Sequence, residues 1–275
     1  MIDTHRNVRI NMNICFSTLG CVDYSLEQIL GLAERFGIGG IEIRGIGSQM
    51  NNALIEVLSV EYTARTESLL AAAGVRPVVL GTSCAFHSTE KYAQAMREGR
   101  ESIDIATRLK VPYIRVFGNR ITGERNECIT RVGQGICELC RYAADKNVTV
   151  LLEVHGDFNT VENLVPVLNI LNGHPNFGLI WDIAHTHRVY GRRWREFYDV
   201  MKPYIRHVHV KDLSDGDGGL TLPGKGDIPI IPIMKKMLDD GYGGFFSLEW
   251  EKKWHPELDG IEVALAHFMH IVQNI

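Results

Sequence analysis

No stretch of this 275-residue sequence approaches 18 consecutive apolar residues, so no membrane-spanning helix is expected. The opening residues, Met1 to Asn13, are polar and hold neither an apolar central run nor a small-residue cleavage site. A secretory leader is therefore not read there, and the cytoplasm is the expected location. An excess of one charge is missing too: 29 Lys and Arg face 33 Asp and Glu, for a net charge of −4. A chain without a broad basic field is not drawn to nucleic acid or to anionic membrane, and neither is expected as a partner. Disulfide spacing is absent as well. The six cysteines (Cys15, Cys21, Cys84, Cys128, Cys137 and Cys140) fall irregularly in a chain large enough to need no staples, which reads as reduced thiols. Only Cys137 and Cys140 form a CxxC, and zinc held that way needs about four ligands, for which no second pair is at hand. Low-complexity segments, Pro/Ser-rich linkers and long charge blocks are also lacking, so no internal domain boundary is indicated. Residues 1–12 read as an N-terminal extension and residues 13–275 as one domain.

What the chain does have is a 45% hydrophobic content, enough for one large core, and a regular alternation of β-branched runs with helical patterns. Eight strands are expected: Asn13–Ser17, Gly40–Arg44, Arg76–Gly81, Tyr113–Gly118, Val148–His155, Phe177–Ile183, Ile205–Lys211 and Gly244–Trp250. Helical segments fall near Ser25–Phe36, Glu61–Ala73, Thr89–Leu109, Asn126–Lys146, Val161–Leu171, Arg193–Met201, Ile231–Asp240 and Leu258–Gln273. Ser25 with Gln28 three residues on forms a capping-box pattern, and Gly37, Gly74 and Gly241 stand where a left-handed residue closes a helix. Eight βα units make a single-domain (β/α)₈ TIM barrel the simplest architecture, although an open doubly wound sheet also satisfies the alternation.

Charged residues favour the barrel. A parallel strand is buried on both faces, so an acid or imidazole near its end is costly unless ligated, paired or facing a site. The fifth strand runs Thr-Val-Leu-Leu-Glu153, the sixth Gly-Leu-Ile-Trp-Asp182, the seventh Arg-His207-Val-His209 and the eighth Phe-Phe-Ser-Leu-Glu249. Intervals of 29, 27 and 40 residues, each about one βα unit, place Glu153, Asp182, His209 and Glu249 around the C-terminal rim, where barrel enzymes carry their sites. His207 and His209 share a strand face, and the later one lies nearer the rim, so His209 is the expected ligand. Three carboxylates and one imidazole suit a single divalent ion, Mn²⁺ first, with Mg²⁺, Co²⁺ and Zn²⁺ as competitors. On other strands Glu42, Arg44, Arg115 and His155 are positioned to reach a polyhydroxylated or anionic substrate. Trp250 through His255 reads as a rim loop. Gly224-x-Gly226 follows a loop and lacks a third glycine, so it is no dinucleotide fingerprint.

Together, Glu153, Asp182-Ile-Ala-His185, His207-Val-His209-Val-Lys211-Asp212, Gly224-Lys-Gly226-Asp227-Ile-Pro229 and Ser247-Leu-Glu249 resemble the xylose isomerase-like TIM barrel superfamily, in its sugar phosphate isomerase/epimerase branch. The resemblance runs over nearly the whole chain. It implies that Glu153 and Glu249 double as the acid/base pair and that His185 binds substrate. Two positions differ from the ketose epimerases of that family: Asn159 replaces a glutamate, and Lys211 and Lys225 stand in for an arginine. The expectation is a metal-dependent isomerase or epimerase acting on a small sugar or keto-polyol, by proton abstraction next to a carbonyl through an enediolate. The rival on the same barrel is a lyase, an inosose-type dehydratase or a C-glycoside-cleaving enzyme, with Lys211 protonating the leaving hydroxyl. A DNA-repair endonuclease would call for extra metal ligands and a basic groove, and a silent binding protein would have lost a ligand. Self-association into a homo-oligomer is left open.

Overall fold

Eight strands of four to ten residues pair in parallel and close on themselves. In chain order the strands are β1 (Asn13–Ser17), β2 (Gly40–Ile43), β3 (Arg76–Ala85), β4 (Tyr113–Phe117), β5 (Thr149–Glu153), β6 (Phe177–Asp182), β7 (Ile205–Val210), a small hairpin of β8 (Asp212–Leu213) with β9 (Leu220–Thr221), and β10 (Phe245–Leu248). The barrel order is β1-β10-β7-β6-β5-β4-β3-β2, and β1 pairs with both β2 and β10, so the sheet has no edge and the open doubly wound alternative is excluded. Helices α1 (Leu26–Phe36), α2 (Thr63–Ala72), α3 (Tyr92–Arg108), α4 (Arg125–Tyr142), α5 (Val161–Leu171), α6 (Ile183–Tyr190), α7 (Trp194–Met201), α8 (Ile230–Asp239) and α9 (Ile261–Gln273) surround it. This computed structural model describes residues 12–216 and 218–275. The expected extension, residues 1–12, lies outside them except for Met12, which packs against the core. Among the described residues no helix is long and apolar enough to cross a membrane.

Local signals act as expected at α1. The Ser25 hydroxyl accepts the Gln28 N–H at 3.3 Å, the Gln28 side chain accepts the Ser25 N–H at 2.8 Å, and Gly37 ends the helix at φ +65°. The sixth unit differs from its sequence pattern, which placed a helix only from Arg193. Here α6 begins directly at the end of β6, because the Asp182 carboxylate caps it, accepting the Ala184 and His185 N–H groups at 2.9 and 3.0 Å. Its neighbour Trp181 points to the opposite side of the strand. The indole stacks on Tyr198 of α7 at 5.3 Å and donates to the Thr186 hydroxyl at 2.9 Å, which fixes α6 against the barrel wall.

Inside the barrel, strand alternation stacks side chains in layers. Val79, Leu151 and Ile180, flanked by Tyr113 and Phe245, plug the end where the strands begin. Two residues further along three of the strands the interior turns polar: Leu151 gives way to Glu153, Ile180 to Asp182 and Phe245 to Ser247, while β7 is polar in both layers, with His207 and then His209. The register sets Asp182 beside His209 and His209 beside Ser247.

The loop after β7 is anchored by Asp212, which is buried. Its carboxylate accepts N–H groups from Gly224 at 2.8 Å, Gly226 at 3.0 Å, Leu213 at 3.0 Å and Ile228 at 3.2 Å. This is what the Gly-Lys-Gly-Asp-Ile-Pro segment is for: a Cβ at Gly226 would lie 2.3 Å from the Leu213 carbonyl and 2.4 Å from an Asp212 oxygen. Gly226→Ala is expected to cost about 1–3 kcal/mol, the usual cost of overpacking. Urea unfolding of the variant measures it, and an unshifted midpoint would show that the loop is not held by this contact.

Candidate active site and metal centre

Glu153 and Asp182 end β5 and β6, His209 is the penultimate residue of β7, and Glu249 directly follows β10. All four are buried, and one donor atom from each lies within 4.8 Å of the others. His209 Nδ1 is 3.8 Å from Glu153 Oε1, 3.9 Å from Asp182 Oδ2 and 3.4 Å from Glu249 Oε2. Its other nitrogen, Nε2, lies 2.9 Å from Glu42 Oε2. Glu42 is fully buried, and the same oxygen is also 3.1 Å from His207 Nε2 and accepts the Ser247 hydroxyl at 3.2 Å. These partners assign the tautomer: Nε2–H donates to Glu42, and Nδ1 turns its lone pair toward three carboxylates.

A lone pair facing carboxylate oxygens is repulsive unless a cation lies between them. Without one, the site traps a proton: burial alone would strip it from His209, but Glu249, Glu42 and Glu153 hold the imidazole well above its usual range. His209 Nδ1, which makes no hydrogen bond, is thus an unpartnered ligand nitrogen aimed into a pocket of oxygens, and the residues fit a divalent ion. The surrounding charge agrees. Glu42, Glu153, Asp182, Glu249 and Glu251 face three cations, Arg44, Arg115 and Lys211, which leaves the group two positive charges short when the histidines are neutral.

Two of those cations are engaged. Arg115 Nη1 lies 2.9 Å from Glu153 Oε2 and 3.5 Å from Glu249 Oε1, its Nη2 donates to the Thr82 carbonyl at 3.1 Å, and its guanidinium covers the Phe117 ring at 4.3 Å. The contact with Glu153 is an ion pair without the alignment of a hydrogen bond, which leaves that oxygen available. Lys211 Nζ reaches Asp182 Oδ2 at 2.8 Å and Glu249 Oε2 at 2.6 Å, and it touches Glu251. The two glutamates differ: burial pushes Glu153 up to about 7 despite Arg115, whereas His209 and Lys211 outweigh burial at Glu249 and hold it well below the carboxylate range.

Above the cluster, a cavity of about 210 Å³ is bordered by Arg44, Arg115, Phe117, His155, Lys211 and Trp254. A neighbouring one of about 160 Å³ is bordered by His155, His185, Arg188, Lys211, Glu251 and His255. The His155 and His185 rings meet edge to face at 4.2 Å, and burial pushes His185 down to about 4, so it is neutral at neutral pH. Larger hollows, of about 500 and 900 Å³, open near Tyr113 and Gly244 at the other end of the barrel and hold no such cluster.

Of the residues singled out in the sequence, the structure brings Glu153, Asp182, His209, Glu249, Arg115 and Lys211 into one group and sets His155 and His185 beside it. Glu42, expected to reach substrate, lies instead beneath His209 and borders neither cavity. Glu251 was missed, and Ser247 was read only as part of a motif, without its bond to Glu42. Glu251 follows Glu249 by two and shares its face, which was the available signal. Asn159 donates to the His185 carbonyl at 3.2 Å.

A family model described as xylose isomerase-like TIM barrel matches residues 30–270. The chain is similar to a fructoselysine 3-epimerase of Escherichia coli O157:H7, 27% identical over 124 residues, which spans 43% of this chain and only 44% of the relative. It is also similar to a 3-dehydroshikimate dehydratase of Bacillus anthracis, 25% identical over 202 residues, or 70% of this chain and 68% of the relative. Among solved structures, the IOLI protein with a bound zinc atom superimposes with a TM-score of 0.79 at 20% identity, covering 96% of this chain and 99% of that one. A D-allulose 3-epimerase from Methylomonas sp. in complex with D-allulose gives 0.72 at 19%, covering 96% and 97%. At such identities these two likenesses establish the fold.

The geometry at Glu42 generates a prediction. Replacing a carboxylate that orients an ion-binding histidine typically costs 10–100-fold in metal affinity. Glu42→Gln is expected to weaken Mn²⁺ binding by about that factor, read by competition with a chelator, and unchanged affinity would show that His209 is oriented without Glu42.

Proposed function

The chain belongs to the xylose isomerase-like TIM barrel family, and from that premise we propose that it is a divalent-metal-dependent isomerase or epimerase of a small sugar or keto-polyol. The observation that carries the reading is the convergence of Glu153, Asp182, His209 and Glu249 on one point at the floor of a cleft. The four would hold the ion, and the hard oxygen set favours Mn²⁺ over softer-ligand metals. When bound, such an ion supplies positive charge that acidifies the hydrogen next to a carbonyl.

The proton transfers belong to the protein. Glu153 and Glu249 are both within reach of Arg115 Nη1, at 2.9 and 3.5 Å, so one guanidinium sets the spacing of two carboxylates. One takes the hydrogen next to the carbonyl and the other returns it. His155 and His185, neutral and side by side, are placed to hydrogen-bond substrate hydroxyls. Glu42 acts through His209, whose ring it orients. The similarity to a sugar epimerase supports this reading.

A second reading rests on Lys211. Its ammonium borders both cavities, and Asp182, Glu249 and Glu251, outweighing burial, keep it firmly protonated. An ammonium so placed can protonate a departing hydroxide, which turns the same proton abstraction into dehydration, and the similarity to a dehydratase supports it. The two readings separate in D₂O. Incubating the metal-loaded protein with ketoses and inososes is expected to place deuterium next to the carbonyl without loss of water, followed by NMR. Formation of an unsaturated ketone would replace the isomerase by the lyase, and no exchange on any substrate by protein with its metal bound would remove both. Glu153→Gln is expected to slow the exchange by about 10²–10⁴-fold.

A further inference from the structure

Asp182 and Glu249 are each claimed from two sides through a single oxygen. Of the two Asp182 oxygens, Oδ1 is taken by the Ala184 and His185 N–H groups. Oδ2 is left to serve both Lys211, whose Nζ is 2.8 Å away, and the ion pocket, where His209 Nδ1 is 3.9 Å away. Glu249 repeats the conflict: its Oε2 lies 2.6 Å from Lys211 Nζ and 3.4 Å from His209 Nδ1. Arg115 makes no such claim. Its Nη1 meets Oε2 of Glu153 and Oε1 of Glu249, which leaves Glu153 Oε1, 3.8 Å from His209 Nδ1, and Glu249 Oε2 turned to the histidine.

A carboxylate oxygen carries two lone pairs and can serve an ammonium and a metal ion together. The two cations then stand one oxygen apart, and their repulsion weakens the hold on the ion unless something draws the ammonium outward. Glu251 is placed to do so. It lies two residues beyond Glu249, is partly exposed, and accepts a hydrogen bond from Lys211 Nζ. Among the described residues it is the one carboxylate touching that ammonium that stands outside the four-residue cluster. Lys211 donates to Glu249 and Glu251, whereas its contact with Asp182 lacks the alignment of a hydrogen bond. Lys211 and Glu251 both border the 210 and the 160 Å³ cavities, so the pull of Glu251 is toward the cleft and away from the ion pocket.

We propose that Glu251 is a positioning residue of the ion site: by holding the Lys211 ammonium on the cleft side, it keeps a lone pair of Asp182 Oδ2 and one of Glu249 Oε2 free for the ion. Lys211 is then a competitor of the ion that Glu251 restrains. The inference rests on the reading of Glu153, Asp182, His209 and Glu249 as ion ligands, and it holds whether the reaction is isomerisation or dehydration. Any nearby acid attracts a metal ion by its charge, whereas Glu251 acts through Lys211, and this difference is measurable.

The test is Mn²⁺ affinity of the full chain, measured by competition with a chelator, for the wild type, Glu251→Gln, Lys211→Met and the double variant. Glu251→Gln is expected to weaken binding about ten-fold, the lower end of what losing a group that supports the metal ligands costs. Lys211→Met is expected to bind Mn²⁺ more tightly than the wild type, and adding Glu251→Gln to it to change affinity by less than about two-fold. Glu251→Asp, which keeps the charge, is expected to recover part of the loss. Glu257→Gln removes an equal charge from the same rim loop without touching Lys211 and is expected to leave affinity unchanged. Equal losses from Glu251→Gln with and without Lys211 overturn the proposal, as does weaker binding by Lys211→Met or an unchanged affinity in Glu251→Gln. Should the Lys211 variants fail to fold, Glu251→Gln is compared with Glu257→Gln: a loss confined to the first supports the proposal, and equal effects overturn it. A wild type that takes up no Mn²⁺ sinks the ion-site reading and this proposal with it, whereas tight Mn²⁺ binding indifferent to Glu251 sinks the proposal alone.

Discussion

Too many carboxylates are buried at one end of this barrel for the protein's own cations to neutralise, and the structure around the cleft is organised by that imbalance. Glu153, Asp182 and Glu249 converge because parallel strands in register put equivalent positions on one ring. Burying three acids together would be prohibitive in an apolar interior. Arg115 and Lys211, each touching two or more of them, bring the cost down, and the orphaned nitrogen of His209 marks where the remaining positive charge belongs.

The same imbalance explains why Glu42 lies beneath the histidines. A histidine that offers one nitrogen to an ion must dispose of the proton on the other, and a buried carboxylate on the opposite wall of the barrel is the strongest acceptor available. Glu42 serves His207 and His209 through one oxygen, which ties β2 to β7 across the interior.

Much of this was legible before any coordinates. The eight βα units followed from alternation, and the four rim residues followed from an acid or imidazole appearing after each apolar lead-in. What could not be read was α6, because Asp182 was recognised as the end of a strand and its second capacity, capping a helix with two N–H bonds, leaves no separate mark. Asp212 was likewise visible only as part of a motif; that its carboxylate gathers four backbone N–H groups and dictates the glycine at 226 is a property of the folded loop.

The sequence by itself determined which strand ends carry oxygen and nitrogen ligands, since a two-residue period and a parallel strand leave little choice about which side chain faces in at the rim. It could not determine how those charges pair. Glu42 and His209 are 167 residues apart, Arg115 and Glu249 134 apart, and only closure of the barrel brings them together. Tertiary structure alone decided which carboxylates Arg115 and Lys211 meet, because which cation finds a carboxylate depends on distances across the barrel that no local spacing encodes.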